Sequence, residues 1–195
     1  MSIQTTLVAG AEAIAAAIRE IDPPTAPDAP TPCADFDVRT LVNHAFGTTR
    51  AMARLAAKEG LDPDDPWGSR TDAADGDWPH RLADQLEATA NAWSAPEAWQ
   101  GQLDLGGGDQ PASTIGEMAF VEVMVHGWDV ARAGGRRPVI PDEVGTELLR
   151  AVDASAELGR SMGAYGPEVH VDDSAPDFDR ALGLTGRDPD WTVAG

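Results

Sequence analysis

This chain is short of basic residues relative to acidic ones, and it holds a single cysteine. Its 195 residues hold 33 Asp and Glu against 14 Lys and Arg, a formal charge of −19. A surface of that sign repels a phosphate backbone or an anionic bilayer, so neither nucleic acid nor membrane is an expected partner. One cysteine, Cys33, excludes an internal disulfide framework and a Cys-rich zinc site, and suits a reducing compartment. Long apolar runs are missing too, since no segment reaches the roughly 20 residues of a membrane span. Leu7 to Ile18, LVAGAEAIAAAI, resembles the apolar part of a secretion signal, but no Lys or Arg precedes it and Glu12 interrupts it. The expectation is a soluble, cytoplasmic, single-domain protein whose 42% hydrophobic residues build a core without a staple. A metal in such a domain would serve function before stability.

What is present reads as helices. Leu7, Ala11, Ile14 and Ile18 recur at spacings of three and four, which predicts a first helix from about Ser2 to Ile21. The five prolines of DPPTAPDAPTP, residues 22–32, end it. Asp37 is a candidate N-cap for a second helix that stops at Gly60, and residues 61–76 form a loop. Asp77 is a candidate cap for a third helix through Trp93. The stretch from Trp99 to Gln110 suggests a short extended piece, with GGGD as a turn, because no Gly-Lys-Ser/Thr follows to hold a phosphate. Thr114 and Glu117 match a capping box for a fourth helix ending at Gly134 and Gly135. Pro141 opens a fifth, and from about Tyr165 a short extended piece and a turn-rich tail are expected. The fold class is all-α, an up-and-down bundle of four main helices with one more.

The second and fourth helices carry ionisable residues in unexpected places. At about 100° per residue, Leu41, Ala45, Thr48, Met52 and Leu55 share one arc, while Arg39, Asn43, Arg50 and Arg54 lie opposite. His44 falls on the edge of the apolar arc. On the fourth helix Phe120, Val121, Met124, Val125 and Trp128 surround a narrow polar stripe of Glu122, His126 and Asp129. Residues four apart stand one above the other, so Glu122 and His126 can converge, and His44 from a neighbouring helix completes a set of three. A buried carboxylate is paired, protonated or given a metal. Two imidazoles and one carboxylate favour zinc, and nickel, iron or cobalt accept the same donors. Three ligands with an open fourth position suit a catalytic site. The alternative is a buried Glu122–His126 ion pair beside a satisfied core histidine.

Asp129 is a candidate to orient His126 from behind, or else a helix-end partner for Arg132 or Arg136. Cys33 reads as a small packed residue or as one facing the site. His80 and His170 are expected at the surface, and Trp78, Trp93, Trp99 and Trp128 as core or pocket walls. Arg50, Arg54 and Arg81 are candidates to hold a carboxylate of cofactor or substrate.

Thr31 to Gly47, TPCADFDVRTLVNHAFG, and Val121 to Gly135, VEVMVHGWDVARAGG, resemble the DinB-like metal-binding bundle family. The branch is that of mycothiol-dependent maleylpyruvate isomerase N-terminal domains. The tail DRALGLTGRDPDW, Asp179 to Trp191, resembles the end of short, single-domain actinobacterial members. The resemblance implies a four-helix bundle with a divalent metal, commonly zinc, on His44, Glu122 and His126. It also implies mycothiol as cofactor for isomerisation or thiol transfer on a small electrophilic substrate. Little chain follows the fifth helix, so no second domain is expected, and the expectation does not extend to maleylpyruvate itself. A non-catalytic binding bundle and a metal-dependent hydrolase are the competing functions. Oligomeric state is left open, a homodimer included.

Overall fold

The apolar spacings of the sequence become packed faces in the computed structural model of the protein, which describes residues 2–22, 24–68, 70 and 72–193. Helix α1 spans Ile3–Arg19, capped by the Ser2 side chain, and buries Leu7, Ala11, Ile14 and Ile18. Helix α2, Val38–Ala56, starts where Asp37 accepts a hydrogen bond from the Thr40 N–H at 2.8 Å. It ends before Gly60, because Lys58 takes a left-handed turn (φ 60°) and its ammonium donates to the carbonyls of Ala98 and Gln100.

Helix α3 is Trp78–Ser94, but Asp77 does not cap it by a side-chain bond. Its carboxylate meets exposed His80 Nδ1 at 2.8 Å instead. A short 3-10 turn, Pro96–Trp99, leads into a hairpin of β1, Gln102–Asp104, and β2, Asp109–Pro111. Asp104 folds the glycine-rich turn by accepting from Gly106 and Gly108 N–H. Helix α4, Ala112–Ala133, therefore begins directly from β2. The expected capping box is corrected: Thr114 and Glu117 lie inside the helix, and Glu117 pairs with Arg150 on α5, Asp142–Ser161, at 2.9 Å. Within the tail expected as extended and turn-rich, Asp177–Leu184 forms a sixth helix, α6, because Phe178, Ala181 and Leu182 pack against α5 and the core.

Helix α1 packs against α3 and α4, and α2 against the same two, while α1 and α2 touch each other hardly at all. The Pro-rich connector thus crosses the bundle, and α2 lies beside α4. Helix α5 packs against both α1 and α4. Few positions on α4 reach solvent, which accounts for its nearly continuous apolar sequence. Polar links join helices inside the core: Thr89 Oγ1 donates to the Thr49 carbonyl at 3.0 Å and the Trp93 indole to the Met52 carbonyl at 3.1 Å. Among the described residues, no helix is long and apolar enough to cross a membrane.

One close approach positions a wall of the future site. A Cβ on Gly47 of α2 would stand 2.1 Å from the Trp67 carbonyl oxygen, so only glycine lets the 61–68 loop lie this close. Alanine would favour the helix by about 1 kcal/mol. Overpacking costs about 1–3 kcal/mol, and here the obstacle is backbone rather than a side chain that can swing away. Gly47→Ala should therefore lower the midpoint of thermal unfolding, a net loss that calorimetry reads directly.

Asp37→Ala should cost about 1 kcal/mol in urea denaturation at neutral pH, the usual worth of an N-cap. The Thr40 side chain and N–H hold the Asp37 carboxyl below its ordinary 3.8. A depressed folded value means the contribution is present above pH 3.8 and lost as pH falls through the lowered value. The gap between parent and variant should close only in that acid range.

Candidate functional site

The Thr31 hydroxyl ties down the loop before α2. It donates to the carbonyls of Cys33 and Phe36 and accepts from the Cys33 N–H at 3.1 Å. This turn presents Phe36 to two histidines, with ring centroids 5.4 Å from His44 and 6.3 Å from His126. His44 comes from the second turn of α2, and Glu122 and His126 from successive turns of α4. The two imidazoles stand 4.8 Å apart, nearly edge to face.

Three ligand atoms converge. Glu122 Oε2 is 3.5 Å from His44 Nε2 and 3.7 Å from His126 Nε2, and one atom from each of the three residues lies within 4.8 Å of the others. Donors about 2.0–2.2 Å from a tetrahedral zinc lie about 3.3–3.6 Å apart, close to the two nitrogen-to-oxygen separations. Glu122 Oε2 is shut off from solvent and accepts no hydrogen bond, although the stem of its side chain is partly exposed. Burial pushes the Glu122 carboxyl up, but His126, His44 and Arg187 together outweigh it and bring the value below the ordinary carboxylate range. The set thus offers an anionic oxygen and two imidazole nitrogens to a cation.

Asp129 stands behind His126, its Oδ2 3.0 Å from Nδ1, and is wholly buried. Its counter-charge is Arg187, whose Nη2 donates to the same oxygen at 3.0 Å. The helix-end pairing with Arg132 or Arg136 is not formed: Arg132 donates to the Trp191 carbonyl and Arg136 to the Glu20 carbonyl. Removing one partner of a buried ion pair costs about 3–5 kcal/mol, so Asp129 and Arg187 are held as a unit.

Cys33 is half-buried and lies beside this unit, with its sulfur, a His126 nitrogen and an Asp129 oxygen within 4.8 Å of one another. The packed reading of Cys33 is thus incomplete, since it borders the site. A second cation there would sit against the Arg187 guanidinium, which disfavours this cluster as a metal site. Burial pushes the Cys33 thiol up, Arg187 pulls it down, Asp129 raises it further, and the net displacement is upward. A raised thiol is a poor nucleophile.

A cavity of about 640 Å³ opens onto His44 and Glu122. Phe36, Met52, Trp67 and Met118 form its apolar wall, and Arg39, Asn43, Thr40 and Thr48 its polar one. Of the candidate arginines, none of Arg50, Arg54 or Arg81 lines it. Arg54 bonds to the Gly60 carbonyl and Arg81 to those of Ala73 and Asp75, closing loops instead. Arg39 takes their place, tethered to Asp72. Asn43 accepts from the Ala73 N–H at 2.6 Å, so the 72–74 segment covers part of the face opposite the apolar arc of α2. Trp78, Trp93 and Trp128 are core, Trp99 is partly buried with its indole on the Trp93 carbonyl, and His170 is exposed.

The sequence reading missed Phe36, Trp67, Met118 and Arg187. The turn signals of TPCADFD could have flagged Phe36. No local signal marks Arg187, whose partner is 58 residues away.

Comparison with known proteins bears on the family of the chain. Two uncharacterized proteins of Mycobacterium tuberculosis, from strains CDC 1551 / Oshkosh and ATCC 25618 / H37Rv, are each 27% identical over 128 residues. The alignment covers 64% of this chain and 64% of each relative, so the chain spans under two thirds of their length. No solved structure matches the chain significantly. The family profile described as the mycothiol maleylpyruvate isomerase N-terminal domain matches residues 7–131, well over half of the sequence, with His44, Glu122, His126 and Asp129 inside the match. The chain belongs to the mycothiol maleylpyruvate isomerase N-terminal domain family.

Proposed function

We propose that this chain is a divalent-metal-binding, mycothiol-dependent enzyme, an isomerase or thiol transferase acting on a small electrophile. His44, Glu122 and His126 are the metal ligands, and zinc is the first choice on donor type, with nickel, iron and cobalt compatible. One observation carries the reading: Glu122 Oε2 is buried without a hydrogen bond at the meeting point of two imidazoles, beside an open cavity. A carboxylate oxygen in that position has two imidazoles within ion-pair reach but lacks the hydrogen bond that burial demands. A cation takes the place of that bond.

A zinc ion held there would stabilise a thiolate, the nucleophilic form of a thiol. The residues of the chain do the rest. Phe36 packs beside both imidazoles and limits their movement. Trp67 and Met118, 40% and 43% exposed, offer an apolar surface to a bound molecule at the cavity wall. The tethers on Arg39 and Asn43 hold the polar side of the cavity in place. The chain's own thiol groups with Asp129 rather than Glu122 and is displaced toward its neutral form. This favours a nucleophilic thiol that enters from outside, and family membership supports mycothiol in that role.

Protein purified without a metal-affinity tag should carry about one equivalent of transition metal, and His44→Ala less than about one fifth of that. Elemental analysis decides it, and wild-type protein as empty as the variant overturns the reading. Turnover of an activated alkene, or of a substrate with a displaceable group, should require both metal and added thiol. A rate unchanged without thiol would identify a metal-dependent hydrolase. Binding of thiol and electrophile without turnover would identify a non-catalytic bundle.

A further inference from the structure

We propose that Arg187 is a positioning residue for the metal centre: through Asp129 it fixes His126 in the tautomer that keeps the Nε2 lone pair on the Glu122 side. The inference rests on the reading of His44, Glu122 and His126 as ligands. Its carrier is a residue from outside the stretch, 7–131, that defines the family match.

Arg187 follows α6, in a turn where its backbone N–H bonds to the Leu182 carbonyl at 3.0 Å. Its side chain is 6% exposed. Nη1 donates to the Thr185 carbonyl at 2.9 Å, which orients the guanidinium. Nη2 then reaches Asp129 Oδ2 at 3.0 Å, and Nε lies 3.4 Å from both carboxylate oxygens. Among the described residues, these are all the hydrogen-bond acceptors of Arg187, so the side chain's hydrogen bonds end at Asp129 and its own turn, while its charge also bears on Cys33 and Glu122.

A guanidinium only donates, and a carboxylate gripped by it only accepts. The ring nitrogen that meets Asp129 Oδ2 at 3.0 Å, His126 Nδ1, must then be the donor. A neutral imidazole has one N–H, so Nε2 carries the lone pair. That nitrogen lies 3.7 Å from Glu122 Oε2 and is the atom that faces the ligand set. The shared oxygen fixes ring rotation as well as proton position, because it is held from the Arg187 side. A second bond, from Arg132 to the Trp191 carbonyl, keeps the tail against the same helix. The C-terminal segment thus reaches the centre without touching a ligand atom at the open side.

The test compares metal-free wild-type protein, Arg187→Met and Arg187→Lys, labelled with 15N at histidine. Long-range proton-nitrogen correlation reads the His126 tautomer, and a competition titration reads zinc affinity. Wild type should show Nδ1–H. Arg187→Met should lose the single tautomer and bind zinc about 10–100-fold more weakly, and Arg187→Lys should recover part of both. An Arg187→Met protein with the wild-type tautomer and affinity overturns the proposal, even if it melts earlier, since only a structural role would then remain. Nε2–H in the wild type overturns it as well. Should Arg187→Met not fold, the same losses are expected in Arg187→Met combined with Asp129→Asn, which leaves no unpaired charge. Wild-type behaviour in that double variant counts against the proposal. If wild-type protein binds no zinc, the ligand assignment fails on its own, while the tautomer comparison still decides what Arg187 does.

Discussion

Helix α4 carries two carboxylates into the bundle, and the site follows from how each burial is answered. Asp129 has no exposure and is met by a guanidinium and an imidazole, which satisfy it from within the protein. Glu122 Oε2 is equally cut off from water and is met by two imidazoles at 3.5 and 3.7 Å, neither of which hydrogen-bonds to it. The cost of a buried carboxylate is similar in the two places. One is closed by Arg187, and the other is left to two imidazoles.

The bundle makes this possible through its order of neighbours. Because the Pro-rich connector carries the chain across the bundle, α2 stands against α4 and brings His44 to the Glu122–His126 stripe. The connector's last residues then do a second task, since the turn held by Thr31 sets Phe36 beside both rings and Cys33 beside Asp129. On the opposite side, the contact at Gly47 seats the loop that carries Trp67. The cavity is therefore built from α2, α4 and two loops rather than from the bundle interior.

The division of labour along the chain has a further consequence. The family match ends at residue 131, just after His126 and the Asp129 that meets its Nδ1. The remaining segment adds α5, α6 and a tail that returns to α4 through Arg187 and Trp191. It completes the charge balance of a helix that the matched region leaves with a buried acid.

The helices were legible because their burial is periodic: Leu7 to Ile18, Leu41 to Leu55 and Leu82 to Trp93 each repeat at three and four and each face inward. His44, Glu122 and His126 were legible for the same reason, being polar atoms on faces otherwise committed to the core. What depends on contacts between distant segments was not. Thr114 and Glu117 look like a cap, yet the hairpin feeds α4 from Ala112 and hides that signal inside the helix. Arg50, Arg54 and Arg81 are as plausible from local sequence as Arg39, but only the folded loops decide which arginine reaches the cavity. Local sequence determined the helices and the polar stripe, because helical periodicity is a property of neighbours in the chain. Tertiary structure alone decided the counter-ion of Asp129, the walls of the cavity and the sixth helix, because each needs a partner that the chain brings back from far away.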